Sequence, residues 1–118
     1  MKYLCLIYGD PEVWEAKGQG EVDGLVRDHF DYDDALRRGG QMITAQALEP
    51  PATATMVRMR DGKISATDGP FAETKEELGG FYLIEARDLD EAIKVAGNIP
   101  SARWGSIEVR PVKTLVRP

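Results

Sequence analysis

Two places in the chain hold side chains that could move protons. His29 is the only histidine among 118 residues. Asp33 follows it by four positions, so on a helix the two share a face and the carboxylate can orient the imidazole. Two readings of His29 stand. One is a core or cavity histidine hydrogen-bonded to backbone; the other is a general base. The second place is Asp68-Gly69-Pro70-Phe71-Ala72-Glu73-Thr74-Lys75-Glu76. Asp-Gly-Pro is turn chemistry, because Asp accepts from nearby backbone N–H groups, Gly allows positive φ and Pro fixes φ. Phe71 is an apolar anchor in this polar stretch. The segment reads either as a tight turn pinned by Phe71, or as a loop beside a pocket with Asp68 as its carboxylate and Lys75 as a ligand or ion-pair group.

Other chemistry is excluded or weak. Cys5 sits mid-strand among apolar neighbours, where a thiol has a raised pKa and is inert. One Cys and one His cannot build a Cys/His zinc site within one chain. Gly18-Gln19-Gly20-Glu21-Val22-Asp23-Gly24 has one residue too many before its third glycine and lies ten residues past the preceding strand, so it reads as a loop before a helix and not as a dinucleotide fingerprint. No cofactor is implied. The net charge is −5, from 15 Lys+Arg against 20 Asp+Glu. That disfavours a nucleic-acid or anionic-membrane partner. No apolar run approaches the roughly 20 residues of a membrane span. The apolar start, Tyr3 to Tyr8, is too short for a secretory leader, and a single cysteine fits a reducing compartment, so a cytoplasmic protein is expected.

The elements that must position these groups follow from periodicity. Lys2–Tyr8 is a strand apolar on both faces, with Tyr3, Cys5 and Ile7 on one and Leu4, Leu6 and Tyr8 on the other. Gly9 ends it, and Asp10-Pro11 caps a short turn through Trp14. Glu21–Arg38 is a helix with Val22, Leu25, Val26, His29, Phe30 and Leu36 on one stripe, stopped by Gly39-Gly40. Gln41–Leu48 is a second strand. Thr53–Arg60 and Lys63–Thr67 flank Asp61-Gly62, a two-residue hairpin turn. Residues 68–79 read as a loop. Gly80–Ala86 is another strand apolar on both faces, with Phe81 and Leu83 on one and Tyr82, Ile84 and Ala86 on the other. Asp88 to Glu91 has capping-box spacing and opens a helix with Leu89, Ala92, Ile93 and Ala96 inward. Ser106–Arg110 is the last strand, with Glu108 and Arg110 facing away from Ile107 and Val109, either lining a polar cavity or pairing with each other or with Arg103.

The order is strand–helix–strand, a hairpin, then strand–helix–strand. It predicts one α+β domain over residues 1–118: a ferredoxin-like protomer with an inserted β-hairpin. Two helices cover only one face of such a sheet, so the second apolar face needs a cover, and a second copy is the simplest one. A homodimer is therefore expected.

The Asp68–Glu76 segment, followed by Gly79-Gly80-Phe81-Tyr82, resembles the DGPF branch of the YCII-related family. The likeness extends through Met1-Lys2-Tyr3, Pro50-Pro51-Ala52-Thr53-Ala54-Thr55, Asp90-Glu91-Ala92, Ile99-Pro100 and Ile107-Glu108-Val109-Arg110-Pro111. It implies a dimeric α+β barrel, in which two ferredoxin-like protomers pack sheet to sheet. It also implies two functional readings. One is a cofactor-independent enzyme acting by proton transfer on a small apolar molecule. His29 is then the base, Asp68 or Asp33 its partner, and Tyr8, Phe71, Phe81 and Tyr82 the pocket walls in a dimer-associated cavity. The other is a non-enzymatic ligand-binding or regulatory module linked to sigma-factor-dependent transcription.

Overall fold

A computed structural model describes residues 1–69 and 74–118. In chain order the elements are β1 (Lys2–Gly9), α1 (Pro11–Glu15), α2 (Gln19–Arg38), β2 (Met42–Ala47), β3 (Thr55–Arg60), β4 (Lys63–Asp68), β5 (Glu77–Glu85), α3 (Leu89–Gly97) and β6 (Gly105–Pro111). Single 3-10 turns occupy Pro51–Thr53 and Pro100–Arg103. The strands form a four-stranded sheet in the order β2-β5-β1-β6 and a separate two-stranded ribbon, β3-β4. All of the pairings are antiparallel.

The caps are where the residue types put them. Asp10 accepts a hydrogen bond from the Glu12 amide at 2.9 Å and Pro11 occupies the first position of α1. Asp88 accepts from the Glu91 amide at 2.9 Å, and Glu91 reaches back to the amide of Arg87 at 3.1 Å. That reciprocal bond lands one residue earlier than in the usual capping box. Asp61 and Gly62 have φ of 51° and 73°, as a two-residue hairpin turn that follows the strand twist requires. At Gly105, which pairs with Gly9, a Cβ would stand 2.0 Å from the Tyr8 carbonyl oxygen, so only glycine lets β6 close on the end of β1.

The core lies between the sheet and its helices. Tyr3 and Cys5 of β1 and Tyr82 and Ile84 of β5 pack with Leu36 of α2 and with Ala92, Val95 and Ala96 of α3; Ile107 and Val109 of β6 join them. Both long helices thus cover the same sheet face. The inward stripe of α3 differs from the sequence expectation. Val95 is buried, whereas Leu89 and Ile93 are about half exposed. Residues 89 and 93 fall on the flank of a nine-residue helix whose small residues, Ala92 and Ala96, make the close approach.

On the opposite sheet face the pleat places Leu4, Leu6 and Tyr8 of β1, Phe81 and Leu83 of β5, and Glu108 and Arg110 of β6. Glu108 accepts from the Tyr8 hydroxyl at 3.3 Å and pairs with Arg110 at 3.6 Å, whereas Arg103 pairs with Asp28. The molecule is a slab only 19 Å thick, one sheet and one helix layer, with a radius of gyration of 16.4 Å. A compact chain of this length has about 13.5 Å. Two parts stand outside the core: the β3-β4 ribbon, whose Val57, Met59 and Ile64 are all more than half exposed, and the stretch after β6 with exposed Leu115 and Val116.

Candidate functional site

His29 lies near the middle of α2, with its ring turned toward the sheet. Its Nδ1 is 2.8 Å from the Tyr82 hydroxyl, and its Nε2 is 2.6 Å from the Ser101 hydroxyl. The Tyr82 hydroxyl donates to Asp33 through a short hydrogen bond. These contacts assign the protons. A phenol has one O–H, and here it goes to the carboxylate, which only accepts when ionised. The Tyr82 oxygen must then receive the N–H of Nδ1. In a neutral ring that leaves Nε2 with a lone pair, which accepts from Ser101. Asp33 therefore acts on the imidazole through Tyr82, not by direct contact.

Burial and charge agree with a neutral ring. Burial holds the His29 pKa below its ordinary value of 6.5, opposed by the Asp33 carboxylate; Arg103 lowers it further and Asp28 opposes. Burial raises the Tyr82 pKa strongly, and the bond to Asp33 adds to it. The phenol is a fixed donor and does not ionise. Arg103 donates to Asp28 at 2.8 Å, tying the Pro100–Arg103 turn to α2. The pair is half exposed, so its worth in stability is small. Its effect is positional, because it joins the segment that carries Ser101 to the helix that carries His29.

His29, Asp33, Tyr82 and Ser101 line a cleft of about 720 Å³ on the helix-covered side of the sheet, which Gln46, Glu49 and Glu77 also border. The rest of the lining is mostly apolar: Ile7, Trp14, Leu25, Val26, Phe30 and Leu48 are typical. Trp14 meets Trp104 edge to face, with ring centroids 4.8 Å apart, and Lys17 lies 5.0 Å over the Trp104 ring. Phe30 is 66% exposed at the mouth, an apolar side chain held out to solvent beside the opening. Volume and lining suit a small molecule. Among the described residues no group of three or more His, Cys, Asp or Glu side chains gathers as metal ligands do.

The structure brings together only part of the expected site. His29, Asp33 and Tyr82 meet. Tyr8, Phe81 and Glu108 do not line the cleft, because the strand pleat puts them on the other sheet face, away from Tyr82. Asp68 ends β4 and is exposed, as is Lys75; neither reaches the cleft. Asp68 is thus not the partner of His29 in this protomer. Phe71 lies outside the described residues. Of the Asp68–Glu76 stretch, Thr74 and Glu76 border a second hollow of about 450 Å³ that Tyr8 also lines. Cys5 is buried and burial pushes its thiol up to about 11, as a core thiol should be. Sequence reasoning missed Ser101. Its one signal was the turn Ile99-Pro100-Ser101-Ala102 after α3, which gives no hint that the hydroxyl meets a residue 72 positions away.

Comparison with known proteins gives the family and the fold. The chain is 38% identical over 114 residues to an uncharacterised protein of Rhizobium meliloti, covering 95% of this chain and 92% of that one. Among solved structures it resembles the 5-chloro-2-hydroxyhydroquinone dehydrochlorinase of Burkholderia phenoliruptrix in complex with 2,5-dihydroxybenzoquinone. That match has a TM-score of 0.56 and 17% identity, over 96% of this chain and 94% of the other, and it speaks to the fold. The family model for the YCII-related domain matches residues 1–116. Nearly the whole chain is that one domain, and the protein belongs to the YCII-related family.

Proposed function

We propose that this protein is a cofactor-independent enzyme that transfers a proton on a small, largely apolar molecule bound in the His29 cleft. One observation carries the reading. A neutral imidazole is anchored at Nδ1 by Tyr82 and Asp33, and its Nε2 meets the hydroxyl of Ser101, which lines a mostly apolar cleft. A general base needs an oriented ring in the correct tautomer, and these residues supply both. The likeness to a dehydrochlorinase fits an enzyme of this kind without naming the substrate. The test is exchange of solvent deuterium into a ligand. Small aromatic and enolisable compounds that raise the melting temperature are incubated with the protein in deuterated buffer and followed by NMR. His29-dependent exchange is expected, abolished in His29→Gln. Ligands that bind tightly and never exchange would favour the binding-module reading instead.

The Asp68–Glu76 segment supports membership of the DGPF branch. In this reading the protein is cytoplasmic, in keeping with its one reduced cysteine. It works as a homodimer closed through the face that carries Leu4, Leu6, Phe81 and Leu83, forming a barrel of two sheets. The 19 Å thickness of the protomer supports this, since one layer of helices leaves that apolar face without cover. Sedimentation at micromolar concentration is expected to show a dimer, and Phe81→Asp a monomer; a compact wild-type monomer would refute the assembly. Among the described residues no helix is long and apolar enough to cross a membrane.

A further inference from the structure

We propose that Ser101 is the proton-carrying link between the cleft and His29. This rests on the reading of His29 as a base and names how the base is reached. The Nε2 lone pair is not open to the cleft; it is occupied by the Ser101 hydroxyl at 2.6 Å. Ser101 itself lines the cleft while only 6% exposed. Its backbone is held on both sides. The Ala102 amide donates to Ile99 at 2.9 Å, the Trp104 amide donates to Ser101 at 3.2 Å, and Arg103 grips Asp28. Turning the hydroxyl away from Nε2 would leave a buried O–H to find another acceptor.

A serine hydroxyl has one proton and two lone pairs. With its proton on Nε2, its lone pairs remain for a ligand O–H. The ligand class is therefore a small phenol or enol, its apolar ring against Trp14 and Leu25 and its hydroxyl at Ser101. The step balances without a co-reactant. The ligand O–H bond breaks and its proton joins Ser101 Oγ, while the original Ser101 proton passes to Nε2. The products are a ligand oxyanion, an imidazolium and an intact serine. The groups facing the ring set the balance: Asp33 through Tyr82, and Asp28, favour the imidazolium, and Arg103 opposes it.

The probe is 4-nitrophenol, whose phenolate absorbs where the phenol does not, in buffer below the pKa of the free probe. Wild-type protein is expected to bind it with the phenolate band present, and His29→Gln to lose the band. Ser101→Ala should still bind the probe, with the phenolate-to-phenol ratio of the bound form reduced about tenfold. Ser101→Thr, which keeps a hydroxyl, should retain the band. If the alanine variant fails to fold, Ser101→Cys keeps the shape with a weak donor and should show the same loss. An unchanged or stronger band in Ser101→Ala, with the band lost in His29→Gln, would overturn the link and leave the His29 reading standing. No probe binding by the wild type, or the same band in His29→Gln, would overturn the His29 reading and the link with it.

Discussion

Tyr82→Phe removes one oxygen from the centre of the site. That oxygen accepts the Nδ1 proton of His29 and donates to Asp33, and Tyr82 is only 3% exposed. The ring still fills its place in the core beside Tyr3 and Ile84, so loss of packing is small. What is lost is two hydrogen bonds, one of them to a carboxylate. Each partner left without a bond in a buried place costs about 1–3 kcal/mol. His29 and Asp33 are half-buried at the edge of an open cleft, where water can replace part of the loss. A net destabilisation of about 2–3 kcal/mol is expected. For a domain of this size that corresponds to a fall in melting temperature of roughly 8–12 °C. Thermal and urea denaturation of both proteins at neutral pH measure it, with the m-value checked so that a change of midpoint means a change of stability. A loss below about 0.5 kcal/mol, the scatter of ordinary surface substitutions, would refute the claim that Tyr82 bridges His29 and Asp33.

Three further outcomes follow from particular residues. Gly105→Ala places a Cβ 2.0 Å from the Tyr8 carbonyl oxygen and should cost about 3 kcal/mol by forcing β6 away from β1, read as a lowered urea midpoint. Gly62→Val must hold a β-branched residue at φ 73° in the turn of the β3-β4 ribbon, so stability should fall by about 1–2 kcal/mol while ligand binding in the cleft stays unchanged. His29 has a folded pKa below 6.5, so between that folded value and 6.5 the unfolded chain binds the extra proton; stability should therefore be complete above about pH 6.5 and decline below it, and His29→Gln should flatten that slope.

Much of the fold was legible in the sequence because its cues are local. Asp10-Pro11, Asp88 to Glu91, Gly39-Gly40 and Asp61-Gly62 act through backbone geometry within four residues, and each marks the boundary or turn that its chemistry dictates. The doubly apolar β1 and β5 were legible for the same reason, since alternation is a period-2 property of one strand. The site was legible only as far as one helix extends. His29 and Asp33 share a face by spacing, but the atom that joins them comes from β5. Adjacent aromatic residues suggested one pocket wall, whereas the pleat sends Phe81 and Tyr82 to opposite faces, and only Tyr82 meets the helices. Ser101 enters through the path of the chain after α3, which no local pattern encodes. Asp68 drew notice through turn chemistry, and the strand it terminates carries it away from the cleft.

The most direct test of the account is the protonation of one ring. With a single histidine, nitrogen-15 NMR of labelled protein reads Nδ1 and Nε2 of His29 without ambiguity. Above pH 7 a neutral imidazole is expected, with its proton on Nδ1 and an unprotonated, hydrogen-bonded Nε2, and Tyr82→Phe should lose that preference. A proton found on Nε2 in the wild-type protein, or a ring exchanging freely between tautomers, would contradict it.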